Sequence, residues 1–278
     1  MLSSRFHFFS LLGFSLLLPA AAFAQSPSAA NLQVPFIWEI PDGVWTKPWN
    51  GACEEASVMM IDQFYRGRKE ENIGRAESKK IMSPLFAIED KLFGSNADTS
   101  ATRTLKIIED YTNFDGKLKF RPTIDDITAE LANGHPVISL HYGYDLNNPR
   151  HRFRRGSSSF HMMAITGFDA KKGLFYVNDP ELKRGLDYPY QYATIMASLR
   201  DFNHATNKAN GAPVVIFTRP KQLVRETPGN RIYLVRDGKK YYISHPRVFK
   251  NRRWSWALVK PLTPEELGTM ENGSAINN

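Results

Sequence analysis

The chain of 278 residues contains one cysteine, Cys53. A single thiol excludes an internal disulfide framework, so stability must come from a packed core. Beyond the first two dozen residues no stretch approaches the roughly 20 apolar residues that a transmembrane helix requires. Paired-cysteine spacing, a His-Glu-x-x-His motif and carboxylates at ligand spacing are also missing, which argues against a metal centre. Without a glycine-rich phosphate loop no nucleotide cofactor is expected, and no other cofactor is indicated. Nor is there a recognition module of the kind that would pair an exported basic protein with nucleic acid.

What is present begins with an export signal. Arg5 supplies a positive n-region, Phe8 to Leu18 is almost wholly apolar, and Ala22-Phe23-Ala24 is a small-x-small cleavage site. Residues 1–24 therefore read as a signal peptide cleaved near Ala24, which places the mature chain in a periplasmic or extracellular space. No cysteine follows the apolar run to take a lipid anchor. The formal charge of +8 suits association with anionic surroundings such as cell-wall polymers, or simply a solvated basic face.

Helices precede strands along the chain. Residues 26–50 carry Pro35, Pro41, Pro48, Trp38, Trp45 and Trp49 and read as an irregular segment laid over a core. Ala56, Met59, Met60 and Phe64 recur at helical spacing and predict a helix over 52–65, followed by helices near 77–92, 101–112 and 123–133. Thr123 is the expected N-cap of the last, before Asp125 and Asp126. Strands are expected at 136–142, 161–168, 173–177 and 214–218, short apolar runs bounded by Gly, Pro, Asn or Asp. Helices followed by a mainly antiparallel sheet define an α+β domain over residues 25–218.

Downstream, 219–230 reads as a linker, 231–270 as a small module with a hairpin at Asp237-Gly238, and 271–278 as a disordered tail. Phe249, Trp254 and Trp256 of the module resemble the aromatic segment of a small repeat in bacterial surface proteins. They serve either cell-surface targeting or packing against the hairpin.

Cys53 falls where the irregular segment enters the first helix. Unpaired N–H groups and the helix dipole at that position favour a thiolate. His161 opens one expected strand and Asp179 closes the next, so antiparallel pairing through the turn at Asp169–Gly173 would bring them together although 18 residues separate them. An imidazole accepts a thiol proton, and a carboxylate fixes the imidazole tautomer and stabilises its cation. His141 on the neighbouring strand rivals His161, and Asn178 rivals Asp179.

The motifs Val34-Pro35-Phe36, Ala52-Cys53-Glu54-Glu55-Ala56-Ser57, Phe160-His161-Met162-Met163-Ala164 and Tyr176-Val177-Asn178-Asp179-Pro180 together resemble the double-glycine-leader-peptidase-like cysteine peptidases, a papain-like bacterial group. The resemblance spans roughly residues 32–218 and implies a papain-like fold with a catalytic Cys53, His161 and Asp179. It favours Asp179 over Asn178. Members of the group place a Gln a few residues before the cysteine to stabilise the oxyanion, whereas Gln33 here is 20 residues away. Asn50 is the nearest amide side chain, and with the Cys53 N–H it becomes the expected oxyanion donor. Glu54, directly after the cysteine, either perturbs the thiol, selects a cationic substrate group or is a solvated first-turn residue.

The function these features imply is cleavage of a peptide or amide bond through a thioester, on a peptide or cell-wall-associated substrate. Two alternatives stand beside it: a non-catalytic surface-binding protein with a peptidase-like fold, and an acyl transferase using the same thiol. The run Arg150-His151-Arg152-Phe153-Arg154-Arg155 reads as a cationic loop, either solvated or receiving an acidic substrate.

Overall fold

The computed structural model describes residues 27–156 and 159–277, so the expected signal peptide lies outside the described residues. A seven-stranded antiparallel sheet forms the centre of the fold. Its strands are β1 (Ala29–Asn31), β2 (Phe114–Phe120), β3 (Val137–Tyr142), β4 (Phe160–Asp169), β5 (Leu174–Asn178), β6 (Tyr188–Gln191) and β7 (Val214–Pro220). The order across the sheet is β2-β7-β3-β4-β5-β6, with β1 beside the far end of β4. Helices α1 (Cys53–Tyr65), α2 (Arg75–Phe93), α3 (Ala101–Tyr111), α4 (Ile124–Ala132) and α5 (Tyr192–Ser198) pack around it. The four expected helices form within two residues of their predicted bounds, and the α+β class holds.

Both faces of the sheet are covered, which explains why its central strands are continuously apolar instead of alternating. Ile138, Leu140, Met162, Ala164 and Ile216 meet Ala56, Met59 and Met60 of α1 and Met82 of α2. Val137, Met163, Ile165 and Val215 meet Ile127 and Leu131 of α4 on the other side. Thr123 caps α4 through a reciprocal box: its hydroxyl accepts from the Asp126 N–H at 3.1 Å, and the Asp126 carboxylate accepts from the Thr123 N–H at 2.8 Å. The first helix, α1, is enclosed almost all round, so its acidic residues enter the interior with its apolar ones.

β2 has no counterpart among the predicted strands, because Asp115, Lys117 and Lys119 mask its alternation and Gly116 weakens the strand signal. That glycine is required where it stands: a Cβ there would come within 2.7 Å of Leu105 and 2.9 Å of Ile216.

The C-terminal region departs from its predicted division. Residues 219–230 are not a linker throughout, since β7 continues to Pro220 and β8 (Gln222–Glu226) follows at once. β8 joins β9 (Ile232–Arg236), β10 (Lys239–Tyr242), β11 (Lys260–Leu262) and β12 (Glu271–Asn272) in a second sheet of order β11-β8-β9-β10-β12. Leu223 and Val224 point into the two opposite cores of that sheet, a strand pattern hidden by its flanking prolines. Likewise the tail is ordered in part, because β12 pairs with β10 and Ile276 bridges to Ile243. The expected hairpin at Asp237-Gly238 forms between β9 and β10. Trp256 stacks on Phe249 with ring centroids 3.7 Å apart, and Trp254 is buried beside them. Lys221 and Arg236 both bond Asp115 of β2, at 2.9 and 2.5 Å, tying the small sheet to the large one.

Candidate active site

Cys53 is the first residue of α1, directly after a turn at Trp49–Gly51. Its N–H therefore has no acceptor within the helix. The side chain is 4% exposed. Its sulfur, one carboxylate oxygen of Glu39 and one ring nitrogen of His161 all lie within 4.8 Å of one another. Among the described residues no other cysteine is present to compete for this role.

Strand pairing delivers the other two groups. β4 and β5 run antiparallel with Ala164 opposite Asn178, so His161 near the start of β4 lies beside Asp179 just past the end of β5. The His161 Nε2 to Asp179 Oδ1 distance is 2.9 Å. Nδ1 is then the nitrogen left to face the sulfur. Asp179 is held at its backbone as well, where its N–H donates to the Gly185 carbonyl at 2.9 Å. A Cβ on Gly185 would lie 1.9 Å from the Asp179 carbonyl oxygen, so glycine is what lets this turn close.

Asp179 is the hub of a larger buried network than sequence suggested. It also accepts from His151 Nε2 at 2.8 Å and from the Tyr190 hydroxyl at 2.7 Å. Burial alone would raise its pKa; the His161 charge and the hydrogen bonds from both imidazoles outweigh that and hold it well below the usual carboxylate range. For His151 burial opposes the charged form, but the hydrogen bond and charge of Asp179 raise its pKa on balance. Sequence placed His151 in a cationic loop and did not single out Tyr190. The His151 signal was obscured by its four arginine neighbours.

The rivals separate cleanly. Asn178 faces away from His161: its amide donates to the Val34 carbonyl at 2.9 Å, and its oxygen accepts from the Asp187 N–H at 3.0 Å. His141 pairs with His161 across β3 and β4, but its Nδ1 lies 2.8 Å from the Ser198 hydroxyl. Burial pushes its pKa down to about 3, so it is neutral.

The environment of the sulfur differs from the expected thiolate. Cys53 Sγ donates to Glu54 Oε2 at 3.0 Å, while Glu54 Oε1 accepts from the Thr99 N–H at 2.8 Å. Burial first, and then the charges of Glu54 and Glu39, raise the thiol pKa well above normal. The helix terminus does not prevail, because dehydration and neighbouring carboxylates act at closer range. Nor is Glu54 a solvated residue: it is buried, and burial together with Asp98 lifts its pKa to about 8.

These acids give stability a defined pH dependence. Burial raises Asp98 to about 6, Glu89 to about 7 and Glu54 to about 8. Each folded-state pKa exceeds its unfolded value near 4, so this stabilisation is complete below that value and disappears as pH rises through 6 to 8. Asp179 acts oppositely, since its depressed pKa contributes stability that is lost only in strong acid. Thermal melts are therefore expected to peak near pH 4 and fall by several degrees toward pH 8. A midpoint that climbs over the same interval would contradict this assignment.

Cys53, His161 and Glu39 open into a cleft of about 310 Å³ that Asn50, Asp98 and Arg154 also line. An adjoining hollow of about 380 Å³ shares Trp45, Arg152 and Glu181 with it and adds Arg150, Lys183 and Arg184. Arg152 lies over the Trp45 ring at 4.6 Å from its centre, and its N–H donates to Glu181 Oε1 at 2.8 Å. The donor sets Glu39–Cys53–His161 and His151–His161–Asp179 are compact enough to hold a metal ion. In the second set both imidazole Nε2 atoms already bond the carboxylate.

A thiol, an imidazole and a buried carboxylate gathered at a cleft, on helices packed against an antiparallel sheet, define a cysteine peptidase of papain-like α+β architecture. The chain belongs to the Peptidase_C39 like family, whose model it matches over residues 32–215. Among solved structures, a protein of Bacillus anthracis assigned as a C39-like peptidase shares 15% identity at a TM-score of 0.44, covering 69% of this chain and 99% of that one. The wild-type endolysin LysIME-EF1 shares 13% identity at a TM-score of 0.19, covering 69% of this chain and 85% of its own. No curated protein matches the sequence.

Proposed function

We propose that this cysteine peptidase is exported and hydrolyses a peptide or amide bond in a cell-wall-associated substrate, with Cys53 as nucleophile, His161 as base and acid, and Asp179 as the group that orients His161. The observation that carries the reading is the 2.9 Å bond between His161 Nε2 and Asp179, with the Cys53 sulfur within 4.8 Å of the His161 ring. Export rests on the residues that precede Gln25, and the anionic setting on the basic charge.

In the first step the thiol proton passes to His161 as the sulfur attacks the carbonyl carbon. The carbonyl electrons move onto oxygen, where the Cys53 N–H and the Asn50 amide supply hydrogen bonds. Collapse of this intermediate breaks the C–N bond, the amine leaves with the proton held by His161, and a thioester remains. His161 then takes a proton from water, the hydroxide adds to the thioester, and Cys53 departs as the thiol. Because the resting thiol is bonded to Glu54, deprotonation accompanies attack instead of preceding it.

The raised thiol pKa is the one observation that favours a second reading, a binding protein that has lost turnover. Incubation with a peptide library and with cell-wall stem peptides, read by mass spectrometry, separates the readings. Hydrolysis products that vanish in Cys53→Ala are expected. Adducts formed only with added amines would indicate acyl transfer, and wall binding without products in either protein would overturn the hydrolase.

A further inference from the structure

Glu39 has no part in the mechanism above, yet one of its carboxylate oxygens lies within 4.8 Å of both the Cys53 sulfur and a His161 ring nitrogen. It is 3% exposed, and its Oε2 has no hydrogen-bond partner among the described residues. Leaving a buried carboxylate oxygen unbonded costs free energy unless a ligand completes it. The side chain lines the cleft together with the nucleophile and the base. Its position is fixed: the Glu39 N–H donates to the Pro180 carbonyl at 3.0 Å, next to Asp179, and Ile37 and Ile40 on either side are fully buried.

We propose that Glu39 works as a neutral carboxylic acid, donating its O–H to the substrate carbonyl oxygen as negative charge develops there. This inference rests on the hydrolase reading and adds a donor to the Cys53 N–H. No proton is transferred: the hydrogen bond shortens as the tetrahedral oxyanion forms and relaxes when the amine leaves. A carboxylate at the same place would repel the oxyanion, so the protonated form alone is competent.

The surroundings keep Glu39 protonated. Burial raises its pKa most, and the charges of Glu181, Asp179, Glu54 and Asp98 raise it further. The cations lining the cleft are Arg152 and Arg154, with Cys53 and His161 as the remaining titratable groups. A buried acid held neutral among other acids becomes a donor instead of a charge. The consequence is an enzyme whose activity falls on the alkaline side as Glu39 ionises.

The test compares pH profiles of kcat/KM on one cleaved peptide for the wild type, Glu39→Gln, Glu39→Ala and Asn50→Ala. Glu39→Gln keeps a donor that does not titrate, so it should retain activity and lose the alkaline decline contributed by Glu39. Glu39→Ala should fall about 10²-fold at the pH of maximal wild-type activity. Asn50→Ala removes an amide but no titrating group, and should leave the alkaline decline in place. Modification of Cys53 by an epoxysuccinyl peptide, which passes through no carbonyl oxyanion, should survive Glu39→Gln and so report an intact nucleophile. Wild-type profiles in both Glu39 variants, or a Gln variant as inactive as the Ala variant, would overturn the proposal alone. Absence of turnover by the wild type at every pH would sink the hydrolase reading and this proposal with it.

Discussion

Cys53→Ala is expected to reduce kcat/KM on a cleaved peptide by at least about 10⁴-fold while leaving the protein folded. In the proposed mechanism the sulfur is the atom that becomes acylated, and no second thiol lies in the sequence to replace it. Ser57, one turn further along α1, cannot stand in, because its hydroxyl donates to the Met162 carbonyl at 3.0 Å. The structural cost should be small. Cys53 is a small side chain at the helix start, and alanine is a good helix former there. What the variant loses is the thiol donor to Glu54, whose other oxygen keeps the Thr99 N–H. A urea midpoint close to the wild type, with turnover abolished, is the expected pair of results. Retained turnover would move the chemistry elsewhere.

Asp179→Ala is expected to damage stability and activity together. Three side-chain donors converge on this carboxylate: His161 Nε2 at 2.9 Å, His151 Nε2 at 2.8 Å and the Tyr190 hydroxyl at 2.7 Å. All three side chains are largely enclosed, so removing the acceptor leaves buried groups unpaired. A loss on the order of 3–5 kcal/mol follows from comparable buried charged networks. His161 also loses the partner that fixes its tautomer, for which a fall of about 10²- to 10⁴-fold in kcat/KM is expected. Asp179→Asn should be milder in stability, since its oxygen can still accept from one imidazole. Its NH₂ cannot accept from Tyr190 or from a second imidazole, so the network is not restored. Urea unfolding and kcat/KM measured on both variants check the pair. Near-normal activity in Asp179→Ala would show that His161 is oriented by something else.

Much of this arrangement was legible in the sequence because local signals carried it. The apolar stripe of Ala56, Met59 and Met60 gave α1 and set Cys53 at its start, while Thr123 announced α4. The turn at Asp169–Gly173 predicted the β4–β5 pairing, and that pairing accounts for the meeting of His161 and Asp179. Groups held by irregular chain were not legible. Glu39 lies in a segment whose path is set by buried Ile37 and Ile40 and by its bond to Pro180, none of which has a periodic signature. His151 and Tyr190 reach Asp179 from a loop and from the edge strand β6, where spacing says nothing about convergence. Glu54 illustrates a different limit. An acid in the first turn of a helix is ordinarily solvated and favours the dipole; here the enclosure of α1 turns it into a high-pKa partner of the thiol. The same enclosure reverses the simple expectation of a resting thiolate.

The proposed chemistry consequently depends on His161 drawing the proton from a thiol that its surroundings keep protonated. Intact-protein mass spectrometry after exposure to an epoxysuccinyl peptide tests that claim most directly, because opening the epoxide requires both the sulfur and a proton from the imidazole. One adduct is expected, located on Cys53, formed by the native wild type and lost on denaturation or in His161→Ala. Equal labelling of native and denatured chains, or undiminished labelling in His161→Ala, would contradict it.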